Sequence, residues 1–183
     1  KLPMLLGIDL GGTKIEGIVL ESKEKPIEVI RHRVDTEEKK GYLQVVDNIK
    51  SLVEYIENKI KHKFDKLGIG TPGTLDPVTG LLKNSNSQCL NGMPLKKDLS
   101  KTLDKTILIQ NDANCFALAE TLLGSVNDQY PHAKNVFGII IGTGVGGGVI
   151  IDGKTVYGSQ GIGGEWGHTC LLYTSDAADE RNS

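Results

Sequence analysis

An α/β fold is predicted for this chain of 183 residues by three features of its sequence. Two short apolar runs flank a glycine pair near the start, one long stretch carries a helical apolar stripe, and further short apolar runs then alternate with a second helical segment. Met4 to Asp9 is apolar and stops at Gly11-Gly12, and Ile15 to Leu20 resumes with β-branched residues, so a strand, a glycine turn and a second strand are expected. Ile27 to Val34 completes a three-stranded meander, and the charged segment Asp35 to Lys40 reads as a connection. From Tyr42 to Ile60 the residues Tyr42, Val45, Val46, Ile49, Leu52, Val53, Ile56 and Ile60 recur at three- and four-residue steps, which is one stripe of an amphipathic helix covering a sheet face.

The alternation continues beyond that helix. Lys66 to Gly70 and Thr106 to Gln110 read as buried strands, and Ala113 to Leu123 as a helix closed by Gly124. Val136 to Ile141 restarts the pattern as a buried strand, followed by a glycine cluster and a strand Val149 to Ile151 that ends at the turn Asp152-Gly153. This second strand-glycine-strand unit is similar to the first and suggests two related halves. The expected domains are residues 1–124, an N-terminal α/β domain, and residues 125–169, the beginning of a second.

Composition excludes several classes of function. With 38% hydrophobic and 24% charged residues the chain can bury one substantial core and part of another. A formal net charge of −2 and the lack of any Lys/Arg-rich run leave no surplus to neutralise a phosphate backbone, so nucleic acid is not an expected partner. No apolar run is long enough to cross a bilayer, and Lys1 to Leu6 is too short for a signal-peptide core, so no membrane association and a cytoplasmic location are expected. Cys89, Cys115 and Cys170 are odd in number and widely spaced, which fits reduced thiols better than a disulfide framework or a metal pair.

The last fourteen residues, Cys170 to Ser183, are mostly small or polar and have no hydrophobic period; the run CLLYTSDAADE within them is similar to a translated sequencing-library adapter. Residues 170–183 are therefore read as an adapter-derived, non-native tail. Removing it takes one of the 21 basic and three of the 23 acidic residues, which leaves the rest formally neutral.

Five segments carry candidate chemistry. In Asp9 to Lys14 (DLGGTK), glycines let backbone N–H groups approach a phosphate, Thr13 adds a hydroxyl donor, and Asp9 at a strand end can hold a hydrated Mg²⁺; the plainer reading is a tight hairpin turn. Gly142 to Gly148 (GTGVGGG) contains a formal GxGxxG, yet Val149-Ile150-Ile151 follows in place of the helix that a dinucleotide site needs, so a second phosphate loop fits better. Asn111 to Asn114 (NDAN) sits where a buried strand meets a helix. There Asp112 can act as general base with Asn111 bonding a neighbouring hydroxyl, or either side chain can cap the helix. Gly164 to His168 (GEWGH) and the turn-rich stretch from Pro72-Gly73 through Asn84-Ser85-Asn86 are polar loops able to line a pocket.

Taken together, TPG at Thr71 to Gly73, KNSN at Lys83 to Asn86, NDANCFALAE and GTGVGGG resemble the ROK family of bacterial sugar kinases and sugar-sensing repressors, on the branch of fructokinase-like and N-acetylhexosamine kinases, from about Leu5 to Thr169. The resemblance implies an actin/hexokinase/ribonuclease-H-like fold and phosphoryl transfer from MgATP to a hexose or N-acetylhexosamine hydroxyl, at C6. It implies Asp112 as the catalytic base, with Gly73, Asn86, Asn111, Glu165 and His168 binding sugar. Asp9, Gly11, Gly12, Thr13 and Lys14, together with Gly142, Thr143 and Gly144, would face ATP, Asp9 reaching Mg²⁺ through water. It further implies a zinc site to which His168 contributes, but the CxCGxxGC segment that supplies the cysteines is absent, so no zinc is expected here. The adenine pocket would lie in a missing C-terminal half. The fragment is accordingly expected to be inactive and aggregation-prone, exposing apolar strands such as Phe137 to Ile141, and the full-length protein to be a homodimer. The rival readings are a sugar-sensing ROK repressor without its DNA-binding domain and an inactive sugar-binding scaffold.

Overall fold

A computed structural model of the chain describes residues 3–141 and 145–168. By internal contacts the chain divides between Asp112 and Ala113 into two compact units.

The first unit runs through β1 (Leu5–Leu10), β2 (Lys14–Leu20), β3 (Glu28–Asp35), α1 (Tyr42–Ile60), β4 (Lys66–Thr71), β5 (Thr74–Leu75), β6 (Leu82–Lys83), α2 (Leu95–Leu103) and β7 (Thr106–Asn111). Five of the strands form one sheet in the order β3-β2-β1-β4-β7. The meander β1-β2-β3 is antiparallel, whereas β4 and β7 run parallel to β1. Parallel neighbours need a crossover, and α1 and α2 supply it. The apolar stripe of α1 is buried as its period requires, with Ile49, Leu52 and Ile56 fully enclosed, each worth about 2 kcal/mol of transfer free energy. Against it lie Leu6, Ile8, Leu10, Ile15 and Val19, the alternate residues of β1 and β2. The helix comes so near β2 that a Cβ on Gly17 would fall 2.5 Å from the Ile56 Cδ1.

Two expectations need correction in this unit, and one helix was not expected at all. Helix α2 gives a weak signal, because its stripe is only Leu95, Leu99 and Leu103; the first two are fully buried, and Asp98 accepts a 2.7 Å bond from the Tyr42 hydroxyl on α1. The strands β4 and β7 are half-buried, not buried throughout: Leu67, Ile69 and Ile107 face the core while Leu108 is exposed. The stretch read as a plain turn-rich loop forms the short hairpin β5-β6, tied by Asp76, whose Oδ1 accepts the Val78 and Thr79 amides and whose Oδ2 accepts Lys83. Those bonds hold the Asp76 carboxyl well below the usual carboxylate range.

In the second unit the chain forms α3 (Asp112–Leu122, whose first residue belongs to the first unit), α4 (Ser125–Gln129), β8 (Asn135–Ile141), β9 (Val145–Ile151) and β10 (Lys154–Thr155). The last three make an antiparallel sheet in the order β10-β9-β8. Strand β9 begins four residues earlier than expected and takes in Gly146, Gly147 and Gly148. The reason is packing: a Cβ on Gly148 would lie 2.5 Å from the Ala113 carbonyl oxygen, and one on Gly138 would lie 2.8 Å from the Ala117 Cβ, so small residues on both sides let α3 sit close. Strand β8 is an edge strand and is not buried, since Phe137, Ile139, Ile140 and Ile141 are all exposed. The Asp152-Gly153 turn behaves as its residues dictate, with both at positive φ, 48° and 73°, as a type I′ hairpin requires. Gly124 closes α3 by donating its amide to the Ala119 carbonyl, but at φ −102°, without the left-handed turn of a glycine C-cap.

Candidate functional site

The parallel ladders align the ends of three strands in the first unit. Asp9 pairs with Gly70, Gly70 with Gln110, and Thr71 with Asn111, which places Asp9, the Thr71-Pro72-Gly73 turn and the Asn111-Asp112 pair along one carboxyl edge. Carboxyl edges of this kind are where open α/β sheets bind ligands. Asp112 opens α3, where the partial positive charge of the helix terminus favours a carboxylate.

Asn111 is buried, and its Nδ2 donates to the Gly73 carbonyl at 3.0 Å. Gly73 has to be glycine: its φ is +81°, and a Cβ there would fall 2.8 Å from the Ser85 amide nitrogen. Asn91 holds the facing strand in turn, accepting the Ser85 amide on Oδ1 and donating to the Ser85 carbonyl, both at 2.9 Å. Asn86 is exposed between buried Ser85 and Ser87, so the alternation of this segment turns Asn86 outward.

The Asp9 carboxyl is pushed up from its ordinary 3.8, first by burial, then by the nearby charges of Asp112 and Glu16, with Arg33 opposing. The Asp112 charge that raises the cost of ionising Asp9 marks an electronegative spot that a divalent cation would relieve. Among the described residues no group of three or more His, Cys, Asp or Glu side chains is placed to hold a metal ion.

The glycine turn after Asp9 is tight. The Gly11 amide donates to the Lys14 carbonyl at 2.9 Å, the Thr13 carbonyl accepts the Thr36 amide, and the Thr36 hydroxyl donates to the Gly11 carbonyl. Gly12, Thr13 and Lys14 are exposed, and the Lys14 ammonium pairs with Asp35. Ser87 and Glu38 flank the turn, their oxygens 3.5 Å and 3.8 Å from where a Gly12 Cβ would stand. Sequence reasoning did not single out either; only the fold brings residues so distant in the chain to the turn.

In the second unit Glu165 is partly buried on a loop seated against β9. Gly164, at φ +92°, sits where a Cβ would lie 2.8 Å from the Gly147 carbonyl oxygen, and Trp166 meets Phe137 edge-on at 6.2 Å between ring centres. Of the glycine cluster, Gly147 and Gly148 are thus required by packing as well. Gly142, Thr143 and Gly144 lie outside the described residues, as do the side chain of His168 and the whole of residues 170–183. The chain runs from the glycine cluster into a strand, so the helix that a dinucleotide fingerprint needs is not there.

Residues 5–178 match the family described as ROK family. The chain belongs to the ROK family. It is 42% identical over 170 residues to an N-acetyl-D-glucosamine kinase of Mannheimia succiniciproducens, covering 93% of this chain and 53% of that protein. Among solved structures it is similar to a ROK hexokinase from Thermus thermophilus, with a TM-score of 0.78 and 31% identity over 93% of this chain and 54% of that one. A ROK family glucokinase from Streptomyces griseus, solved in complex with glucose and AMPPNP, follows at a TM-score of 0.75 and 28% identity, covering 93% and 51%. This ROK chain therefore has the actin/hexokinase-like fold of those neighbours and spans about half the length of the curated relatives it matches.

Proposed function

We propose that this chain is the N-terminal half of an ATP-dependent sugar kinase that phosphorylates a hexose or N-acetylhexosamine, with N-acetylglucosamine the first sugar to test. The observation that supports it most is the carboxyl edge of the first unit, where Asp9, its charged neighbour Asp112 and the anchored pair Asn111-Gly73 stand together. Relatives named N-acetyl-D-glucosamine kinase support the choice of sugar, and they favour a kinase over a repressor.

MgATP supplies the phosphoryl group and the charge that neutralises it during transfer. The chain's own part is positioning. Asn111 hydrogen-bonds a sugar hydroxyl and fixes its neighbour, the C6 hydroxyl, against Asp112, which accepts the proton as the new bond forms. Asp9 would hold the hydrated cation, the exposed Gly12-Thr13 turn would face phosphate, and Asn86 would add a sugar contact, while Glu165 and His168 are sugar contacts that the family resemblance implies. A carboxylate is a weak base, adequate because proton transfer accompanies bond formation. In this reading residues 170–183 are a foreign tail, the protein works in the cytoplasm, and the rest of the nucleotide pocket comes from a C-terminal half.

The test is ADP release by the full-length protein with MgATP and each of N-acetylglucosamine, N-acetylmannosamine, glucose, mannose and fructose. Sugar-dependent turnover with at least one is expected. ADP release that no sugar stimulates would sink the assignment.

A further inference from the structure

The motif TPG contains a side chain that the proposed function does not use. Thr71 closes β4, is fully enclosed, and its hydroxyl has no hydrogen-bond partner. A buried hydroxyl without a partner weakens a fold, and valine has nearly the same shape without that cost. The residue faces the same side of the sheet as Leu67 and Ile69, where an apolar side chain would suit the core. Thr71 is thus a poor choice for the resting structure.

Its neighbours suggest what the hydroxyl is for. In the parallel ladder Thr71 is the direct partner of Asn111, so the two side chains stand side by side on one face, about one strand spacing apart. The Asn111 amide is engaged with the Gly73 carbonyl, and Gly73 is only two residues beyond Thr71, within the span over which threonine hydroxyls commonly reach backbone groups. That carbonyl cannot follow Asn111 if the side chain turns, because the positive φ of Gly73 and the close Ser85 amide fix the turn.

We propose that Thr71 is a positioning residue of the sugar site: its hydroxyl takes over the Gly73 carbonyl when Asn111 turns its amide to a substrate hydroxyl. The proposal rests on the sugar-kinase reading above, which makes Asn111 a sugar contact. Without Thr71, sugar binding would leave the half-buried Gly73 carbonyl without its donor, and the loss would fall on affinity for sugar alone.

The experiment compares Thr71→Val and Thr71→Ser with wild type in the full-length protein, measuring sugar binding by calorimetry, KM for sugar and for ATP, and melting without ligand. Thr71→Val is expected to melt at or above wild type, to bind sugar about tenfold more weakly with a matching rise in sugar KM, and to leave the ATP KM unchanged. Thr71→Ser restores sugar binding to within about twofold. The proposal is overturned if Thr71→Val binds sugar like wild type, or if Thr71→Ser is as weak as Thr71→Val, which would assign the effect to the methyl group. A Thr71→Val protein that melts well below wild type or does not fold also overturns it, since the hydroxyl would then already have a partner at rest. Wild-type protein that binds no sugar defeats the sugar-kinase reading itself, before any variant is compared, and this proposal with it.

Discussion

Replacing Glu57 by Gln removes one charge from a carboxylate that is 3% exposed, and the surroundings set the cost. Glu57, on α1, accepts the Phe64 amide at 2.9 Å, the Lys63 ammonium at 2.8 Å and the Lys105 ammonium at 2.8 Å, and Lys105 also donates to the Phe64 carbonyl. Lys63 is largely exposed, so its pair contributes little, but the Lys105 side chain is only 10% exposed. Glutamine still accepts from Phe64 and leaves the Lys105 charge facing a neutral amide, for which about 3 kcal/mol is expected, a drop in melting temperature of roughly 10 °C. Burial pushes the Glu57 carboxyl up, but the bonds from Lys105, Lys63 and the Phe64 amide outweigh it and hold the group below its ordinary 4.5. The unfolded chain therefore binds that proton more readily. The stabilisation is complete above pH 4.5 and fades as pH falls through the lower folded value, so the gap between wild type and Glu57→Gln should close in acid. Urea and thermal unfolding at several pH values read this directly, with Lys63→Ala as a control expected within about 0.5 kcal/mol of wild type. Equal melting of Glu57→Gln and wild type at pH 7 would show that the Lys105 ammonium does not need the Glu57 charge.

Two other substitutions test the site and the packing. Because burial and neighbouring charge raise the Asp9 carboxyl, its ionised form opposes folding; Asp9→Asn should melt slightly higher at pH 7, by less than about 1 kcal/mol since the group meets solvent, and lose that advantage as pH falls through the raised value toward 3.8. A lower melting point at pH 7 would show that Asp9 serves stability instead. Gly148→Ala drives a Cβ against the Ala113 carbonyl and should cost about 1–3 kcal/mol, while Gly68→Ala, whose Cβ meets nothing within 4 Å, should leave stability within about 0.5 kcal/mol; equal effects in denaturant titrations would contradict the close seating of α3.

The bounds of α1 were legible because eight apolar residues keep one period through the whole helix, and the meander because β-branched runs are cut by glycines. Helix α2 was not, since three leucines in nine residues are too few to establish a period. The reach of β9 was hidden for a different reason: glycine argues against a strand by its local preference, and only the alanines of α3 explain why no side chain fits. At the site, the residue types in DLGGTK and NDAN are what point to the phosphate and proton chemistry proposed above. The Asn111 bond to Gly73 and the idle hydroxyl of Thr71 depend on register between strands far apart in sequence, which no local pattern carries.

If the Asn111-Asp112 edge performs phosphoryl transfer to a sugar, as proposed, Asp112→Asn in the full-length protein removes the base and little else. Asparagine keeps the size of the side chain and can still cap α3, so melting within about 1 kcal/mol of wild type and nearly unchanged sugar binding are expected. The kcat for sugar-dependent ADP release should fall by about 10²–10⁴. A variant that melts like wild type and turns over sugar at a comparable kcat would contradict the account and leave Asp112 a structural residue.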